Sequence, residues 1–245
     1  MFPTYPDLNG RTALVTGASS GIGRGIALAL ETQGMRVGAQ YRTQRPPDGL
    51  VPLQAELGSE KGCVELVNAA RAALGNIDLL VHSAGIFNAG AIEEITSEKL
   101  EEMFRVNTYS AFYLVRELLQ AGLKNVVLIG STAGQRGEQG HSHYAASKGA
   151  LQSMMMSLAV ELAPRVRVNL VSPGWIRTPM AEEALKRIGP ALEGTIPNRR
   201  VGEVEDVVNA VLYLASAAAS HLIGQDIGVS GGALLVVPRG QVKPT

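Results

Sequence analysis

The stretch TALVTGASSGIG, residues 12–23, decides the fold predicted for this chain. Its first five residues form a short apolar run typical of a buried strand, and residues 22–33 have the apolar spacing of a helix. Between them, Gly17 permits a tight turn, Gly21 lets a pyrophosphate approach the backbone, and Gly23 lets the helix pack against the strand. Free amides at the start of the helix attract anions. The stretch therefore predicts a phosphate-binding turn, with a ligand-free Gly/Ser turn as the alternative.

Further along the chain, apolar runs alternate with helical patterns. Strands are predicted at residues 36–41, 50–55, 77–82, 125–130, 166–171 and 225–229, and helices at 62–74, 98–119 with a break near Asn107, 144–162 and 204–215. The strands are continuously apolar, which indicates that both of their faces are covered, and strands separated by helices favour a parallel sheet. We predict an α/β fold, a single doubly wound, Rossmann-type domain over residues 1–245. It has a mostly parallel seven-stranded sheet with helices on both faces and a substrate lid at 180–197.

The connection between the second and third strands is unusually short. Eight residues, 42–49, join them, and Pro46 and Pro47 lie among these. A parallel crossover normally takes a dozen residues or more, but eight extended residues reach about 26 Å, enough to return along a short strand. We therefore expect an extended loop here and no helix.

Composition excludes several classes of function. The 245 residues carry 22 Lys and Arg against 22 Asp and Glu, so a neutral chain has no general attraction for nucleic acid or anionic lipid. No apolar run approaches the roughly 18 residues that a membrane span needs. Four histidines without metal-ligand spacing predict no metal site, and the single cysteine, Cys63, suits a reducing, cytoplasmic location.

Tyr144 and Lys148 are four residues apart at the start of a predicted helix. This spacing places them on one helical face, one turn apart. A neighbouring ammonium group favours the phenolate, so Lys148 is expected to lower the pKa of Tyr144 and make the phenol a usable proton donor and acceptor. A solvated Tyr/Lys pair is the alternative. Ser131 follows a strand at its carboxyl end, where open α/β sheets bind ligands, thirteen residues before Tyr144.

Together, Thr-Gly-x-x-x-Gly-x-Gly at residues 16–23 and Tyr-x-x-x-Lys at 144–148 resemble the short-chain dehydrogenase/reductase family. The resemblance extends from residue 10 to residue 232. It implies a catalytic quartet of Asn107, Ser131, Tyr144 and Lys148. In it Ser131 orients the substrate oxygen, and the backbone carbonyl of Asn107 holds a water beside Lys148. Read without the resemblance, Ser131 is a turn residue and Asn107 a polar kink in a helix.

The resemblance also implies a set of residues that bind a nicotinamide dinucleotide. His82-Ser83-Ala84-Gly85 stands where the family usually has Asn-Asn-Ala-Gly, so His82 and Ser83 depart from the pattern, and Pro173-Gly174-Trp175-Ile176-Arg177-Thr178 matches its Pro-Gly-x-x-x-Thr segment. Tyr144 and Lys148 belong to this set as well. The other implied residues are Gly17, Ser19, Ser20, Gly21, Ile22, Gly23, Glu56, Leu57, Ser83, Ala84, Gly85, Pro173, Gly174, Ile176 and Thr178.

The end of the second strand bears on the choice between the two dinucleotides. An acidic residue there binds the ribose hydroxyl of NAD, whereas an arginine accommodates the 2′-phosphate of NADP. Here Tyr41 is followed by Arg42, and the first acid is Asp48. We predict NADP(H) with Arg42 as the main phosphate ligand; NAD as cofactor and a solvated surface arginine are the alternatives.

These features predict an NADP(H)-dependent oxidoreductase that interconverts a ketone or aldehyde and an alcohol on a small molecule. The 3-oxoacyl-thioester reductases are one candidate subgroup, while sugars, steroids and quinones stay open. The alternatives are a non-catalytic nucleotide-sensing protein of the same fold and a dehydratase or epimerase of nucleotide-sugars. The resemblance also implies a homo-oligomer, a dimer or tetramer, with contacts through the helices at 98–119 and 144–162.

Overall fold

The computed structural model describes residues 2–235, so Met1 and residues 236–245 of the predicted domain lie outside the described residues. All seven strands belong to one sheet and pair in parallel. They are β1 (Thr12–Val15), β2 (Arg36–Tyr41), β3 (Val51–Gln54), β4 (Leu79–His82), β5 (Asn125–Ile129), β6 (Arg167–Pro173) and β7 (Asp226–Val229). Their order is β3-β2-β1-β4-β5-β6-β7, which confirms the predicted doubly wound sheet.

Eight α-helices accompany the sheet within residues 2–235. They are α1 (Gly21–Thr32), α2 (Glu60–Leu74), α3 (Ser97–Phe104), α4 (Ser110–Leu118), α5 (Thr132–Arg136), α6 (Ser142–Leu162), α7 (Glu182–Thr195) and α8 (Val204–Ala215). Short 3-10 turns lie at Pro6–Leu8, Ile92–Glu94, Leu119–Ala121 and Ala217–Ala219. None of the helices between residues 2 and 235 is long and apolar enough to cross a membrane.

Two apolar layers enclose the sheet, because successive residues of a strand point to opposite faces. Leu14, Leu80 and Leu128 pack beneath α2, α4 and α6. Val15 and Val81, one residue further along their strands, pack beneath α1 and α8. Burial on both faces explains why the strands read as continuous apolar runs rather than alternating ones.

The connection from β2 to β3 contains no helix, as its length predicts. Residues 42–50 form an extended loop, in which Pro46 and Leu50 are buried. Leu50 joins the apolar layer beneath α1 and partly covers the sheet face that the missing helix leaves open.

The predicted break near Asn107 is a π-helical turn, Arg105–Tyr109, between α3 and α4. Two helices were not predicted from the sequence, α5 and α7. Helix α7 occupies most of the predicted lid at 180–197 and begins with two acidic residues, Glu182 and Glu183, which favour a helix N-terminus. Helix α6 begins at Ser142, two residues earlier than predicted.

Candidate active site

One cleft of about 420 Å³ lies at the carboxyl ends of the strands. This volume is within the usual range for small-molecule sites. The cleft crosses the point between β1 and β4 where the order of the strands reverses, and ligands of open α/β sheets bind at such points. All the predicted catalytic and cofactor-binding residues line the cleft, except Asn107.

The glycine turn forms one wall of the cleft. Gly17 has a φ of +65°, which favours glycine, and a Cβ atom there would lie 2.9 Å from the Cα of Ala84. A Cβ atom on Gly23 would lie 2.3 Å from the backbone oxygen of Gly17. The turn can therefore fold this tightly against the start of α1 only with glycines at both positions. The backbone of Ser19, Ser20 and Gly21 then borders the cleft at the amino end of the helix.

Two buried polar side chains hold this wall in place. The backbone N–H groups of Ser83 and Ala84 donate to Thr16 Oγ1 at 3.1 and 3.0 Å, which ties the loop after β4 to the glycine turn. Gln40 accepts from the Gly17 N–H at 2.8 Å and donates to the Ala55 oxygen at 2.8 Å. Gln40 was not predicted from the sequence, although a polar residue near the end of a buried strand is a usable signal, since buried polar groups need partners.

At the other end of the cleft, α6 carries Tyr144 and Lys148 on one face, opposite Ser131 at the carboxyl end of β5. Ser131 is the N-cap of α5, and its Oγ accepts from the Ala133 N–H at 3.1 Å. Its hydroxyl proton therefore remains free to be donated toward the cleft.

Burial determines the charge state of Tyr144. It raises the pKa of the phenol above its ordinary value, while a hydrogen bond with Ser131 opposes the rise and the charge of Glu138 adds to it. The net shift is upward, so the expected lowering of the Tyr144 pKa by Lys148 is wrong. The physical reason is that removing the phenolate from water outweighs the hydrogen bond that favours it. Tyr144 therefore holds its proton at neutral pH.

Lys148 is 5 % exposed, and its Nζ donates to the Ile129 oxygen at 2.8 Å. Burial lowers its pKa to about 8. An ammonium group has three donors, and this is the one hydrogen bond it forms among residues 2–235. The remaining donors are available to a ligand in the cleft.

Asn107 lies behind the cleft wall, fully buried in the π turn. Its Oδ1 accepts from the Ile86 N–H at 2.8 Å, and its Nδ2 donates to the Ile86 oxygen at 3.0 Å and to Ser147 Oγ at 3.0 Å. Ser147 Oγ donates in turn to the backbone oxygen of Tyr144 at 2.7 Å. Asn107 thus connects the loop after β4 with the first turn of α6.

Gly85 provides the space between Asn107 and Lys148. A Cβ atom at this position would lie 3.3 Å from Asn107 Oδ1 and 3.4 Å from Lys148 Nζ. Any side chain here would press on both groups.

The end of β6 and the segment after it form another part of the cleft lining. Ile176 forms an isolated bridge with Gly202 and is 4 % exposed, and Thr178 Oγ1 accepts from the Ala181 N–H at 3.4 Å. Pro173, Gly174 and Thr178 line the cleft, as does Met180 at the start of the predicted lid.

The far end of the cleft is lined by Arg42, Glu56 and Leu57. Arg42 is exposed and forms no ion pair with any carboxylate of residues 2–235. Glu56 Oε1 accepts from the Gly58 N–H at 3.2 Å. Arg42 thus offers an unpaired cation to this end of the cleft.

Two lining residues near Tyr144 were missed from the sequence, Phe87 and Glu138. The Phe87 ring meets the Tyr144 ring edge-on, with centroids 4.8 Å apart, and stacks on His141 at 4.4 Å. Glu138 pairs with Arg136 at 3.7 Å. Both residues lie in loops, where no periodicity marks a side chain as facing a site. Within the described part of the chain, no three His, Cys, Asp or Glu side chains converge as metal ligands would.

Comparison with known proteins defines the class of protein. The family model described as Enoyl-(Acyl carrier protein) reductase matches residues 17–233. L-xylulose reductase from Bos taurus is 39 % identical over 240 residues, which cover 93 % of this chain and 98 % of the relative. The 3-oxoacyl-(acyl-carrier-protein) reductase FabG of Escherichia coli is 32 % identical over 246 residues, 94 % of this chain and 100 % of FabG.

A solved structure has the same fold. It is a candidate NAD(P)-dependent gluconate 5-dehydrogenase from Beutenbergia cavernae with NADP bound at low occupancy. Its TM-score is 0.86 at 34 % identity, covering 93 % of this chain and 98 % of the other. The chain therefore belongs to the short-chain dehydrogenase/reductase family. It is an NAD(P)-dependent oxidoreductase.

The packing at Gly23 yields a first prediction. Gly23→Ala should raise the dissociation constants of both NADPH and NADH at least tenfold, because the added methyl group displaces the Gly17 backbone. Fluorescence titration of the reduced dinucleotides measures this. Gly194→Ala is the matched control, since that helical glycine has open space around its Cβ position and its replacement should leave both constants unchanged. Unchanged binding in Gly23→Ala would contradict the assignment of this turn.

Proposed function

We propose that this protein reduces a small ketone or aldehyde to an alcohol, or catalyses the reverse reaction, with NADP(H) as cofactor. The observation that carries the proposal is the meeting of three side chains at one end of the cleft. The phenol of Tyr144, the hydroxyl of Ser131 and the ammonium group of Lys148 share this end, and the glycine turn borders the rest.

The cleft suits a dinucleotide for reasons independent of the comparisons. The glycine turn leaves backbone at the amino end of α1, where no Cβ fits at Gly23, and phosphates bind at such helix ends. Lys148 is buried with donors to spare. We assign the phosphates to the turn from Gly17 to Gly23, the adenosine to Glu56, Leu57 and the loop from Ser83 to Gly85, and the nicotinamide end to Lys148 and the segment from Pro173 to Thr178. When bound, the dinucleotide supplies or accepts the hydride.

In this proposal Tyr144 exchanges the proton at the carbonyl oxygen. Its raised pKa keeps the phenol protonated at neutral pH, the state that a proton donor in the reductive direction requires. Ser131 donates a hydrogen bond to the same oxygen and so fixes its position beside the phenol.

Lys148 and Asn107 have supporting roles. The spare donors of Lys148 hold ribose hydroxyl groups, and its positive charge stabilises the phenolate once the proton has left. Asn107 lies close to Lys148, since a Cβ atom on Gly85 would lie 3.3 Å from Asn107 Oδ1 and 3.4 Å from Lys148 Nζ. This proximity supports the proposal that the backbone carbonyl group of Asn107 holds a water through which Lys148 exchanges a proton with solvent.

The substrate end of the cleft favours neutral carbonyl compounds. Phe87, Trp175 and Met180 supply apolar surface there, and Glu138 raises the Tyr144 pKa by its charge. The cations among the described residues of the cleft lining are Lys148 and Arg42, and Arg42 lies at the far end. A carboxylate or phosphate next to the substrate carbonyl would meet the negative charge of Glu138, while Lys148, the lining cation at this end among the described residues, is buried and its spare donors are assigned to the ribose. Ketoses and 3-oxoacyl thioesters, which are neutral near the carbonyl, fit this end better than 2-oxo acids.

Tyr144→Phe tests the proposed chemistry. It should lower kcat at least a thousandfold for every carbonyl substrate, because no other group donates the proton, while the dissociation constant of NADPH stays within about twofold. Turnover is followed at 340 nm with a panel of ketoses, 3-oxoacyl thioesters, steroids, quinones and 2-oxo acids. Tyr213→Phe, on α8 and away from the cleft, is the control and should retain full activity. Full activity in Tyr144→Phe would contradict the mechanism.

The same panel tests the alternative function. A wild-type protein that binds NADPH and reduces nothing in the panel would favour the nucleotide-sensing alternative.

Arg42 supports NADP over NAD. Its guanidinium group has no carboxylate partner among residues 2–235, so a 2′-phosphate would be its ion-pair partner. Arg42→Ala should weaken NADPH binding about tenfold, the value of a charge-assisted hydrogen bond of roughly 1.4 kcal/mol, and change NADH binding less than twofold. Arg45→Ala is the matched control, because Arg45 lies on the same loop but outside the cleft. Wild-type protein that binds NADH as tightly as NADPH would refute the assignment.

Exposed apolar side chains on α4 and α6 support the proposed homo-oligomer. Phe112 on α4 is 48 % exposed, and Met156 and Val160 on α6 are 51 % and 83 % exposed. Light scattering coupled to size exclusion should give the mass of a dimer or tetramer for the wild type. Phe112→Glu combined with Val160→Glu should shift this mass toward the monomer, because charges then face each other across the contact, while Ile92→Glu, at another exposed apolar position, should not. A monomeric wild type would contradict the proposal.

A further inference from the structure

His82 is a fully buried histidine that the proposed chemistry does not use. It is the last residue of β4, at the first position where this sequence departs from the Asn-Asn-Ala-Gly pattern. Its Nε2 lies 2.7 Å from Ser110 Oγ, and its Nδ1 has no hydrogen-bond partner among residues 2–235. A buried imidazole with one strong contact and one orphan nitrogen requires an explanation.

Ser110 connects His82 to the π turn. In an α-helix the Ser110 N–H would donate to the Val106 oxygen, four residues back. Here it donates to the Arg105 oxygen, five residues back, as in a π turn. The Ser110 hydroxyl donates instead to the Val106 oxygen at 2.7 Å. The side chain thus satisfies the carbonyl group that the π turn leaves without its backbone donor.

The direction of these hydrogen bonds fixes the state of His82. A serine hydroxyl has one proton, and Ser110 gives it to Val106, so Ser110 Oγ must accept from His82 Nε2–H. Burial, assisted by the charge of Lys148, lowers the pKa of His82 to about 3. His82 is therefore neutral at physiological pH, with its proton on Nε2.

The π turn in turn positions Asn107. The extra residue in the turn sets the direction in which the Asn107 amide points, and that amide binds both backbone groups of Ile86 and Ser147 Oγ. Ile86 follows Gly85 in the cleft wall, and Ser147 precedes Lys148. A change in the turn would therefore move the cleft wall and the first turn of α6 relative to each other.

We propose that His82 is a positioning residue that, through Ser110, holds the π turn in the form that aligns Asn107 with the cleft wall and α6. The proposal rests on the proposed reductase function, because the expected consequence is a loss of turnover. The imidazole at position 82 donates its one N–H group, on Nε2, to Ser110 Oγ. Its Nδ1 is then buried without a hydrogen-bond partner among residues 2–235.

Two substitutions at position 82 separate positioning from filling of the core. His82→Leu introduces an apolar group of similar size that cannot donate, whereas His82→Gln retains an N–H donor on a side chain of similar reach. His82→Leu should lower kcat about tenfold, with KM and the dissociation constant of NADPH within twofold of wild type. His82→Gln should recover at least half of the wild-type kcat. A residue that only fills space would show no such difference between the two variants.

Ser110→Ala provides an independent test if His82→Leu fails to fold. It removes both the acceptor for His82 and the cap on Val106, so kcat should fall by a similar factor. The double variant His82→Leu/Ser110→Ala should fall no further than either single variant, because both break the same connection. Losses that multiply in the double variant would overturn the proposal.

Hydrogen exchange gives a readout that does not depend on activity. The Ile86 N–H, bound to Asn107 Oδ1, should exchange at least tenfold faster in His82→Leu and Ser110→Ala than in wild type, and at nearly the wild-type rate in His82→Gln. The Ser83 N–H, bound to Thr16, is the internal control and should not change. Unchanged kcat in His82→Leu overturns the proposal, whatever the exchange rate. If the wild type itself has no turnover, the proposed function fails, and unchanged Ile86 exchange then separately overturns the positioning by His82.

Discussion

The close approach of two backbone loops determines how this cleft is built. The turn after β1 and the loop after β4 meet where a Cβ on Gly17 would lie 2.9 Å from the Cα of Ala84. Thr16 Oγ1 joins the two loops by accepting two backbone N–H groups from the second. Because β1 and β4 are neighbours and their crossovers leave in opposite directions, a crevice opens at this point. The glycine turn and the cleft wall formed by the loop after β4 are held together by this contact.

Burial then sets the chemistry at the substrate end. Tyr144, Lys148 and His82 are all withdrawn from water, and in each case burial is the largest cause of the pKa shift toward the neutral form. The phenol keeps its proton and His82 remains uncharged. In the proposed reaction, a hydrogen bond to a developing oxyanion is stronger in such buried surroundings than it would be in water. Ser131 is the donor proposed for that oxygen.

The sequence predicts those features that depend on local pattern. Continuous apolar runs predict the sheet, and the glycine turn predicts the crevice. The spacing of Tyr144 and Lys148 predicts that both lie on one face of α6. The loop after β2 is too short to contain a helix, which its length alone predicts. The short helix α5 and the lid helix α7 were missed, since their lengths and boundaries depend on tertiary contacts. The roles of Gln40, Phe87 and Glu138 depend on which loops meet in space. The predicted direction of the Tyr144 pKa shift is also wrong, because the sequence spacing reveals the neighbouring lysine but not the burial of the phenol.

The departure at His82 shows how a chain can satisfy a constraint of its fold with a different residue. A π turn leaves a carbonyl group without its usual donor, and an unsatisfied buried polar group costs roughly 1–3 kcal/mol. Ser110 removes that cost by donating its hydroxyl proton to the Val106 oxygen. The lone pairs of the buried hydroxyl oxygen then need a hydrogen-bond donor. An apolar residue at position 82 would leave those lone pairs unpaired, whereas the imidazole supplies the donor and leaves one nitrogen without a partner. The polar atom without a partner is therefore His82 Nδ1, at the carboxyl end of β4, rather than Ser110 Oγ at the start of α4.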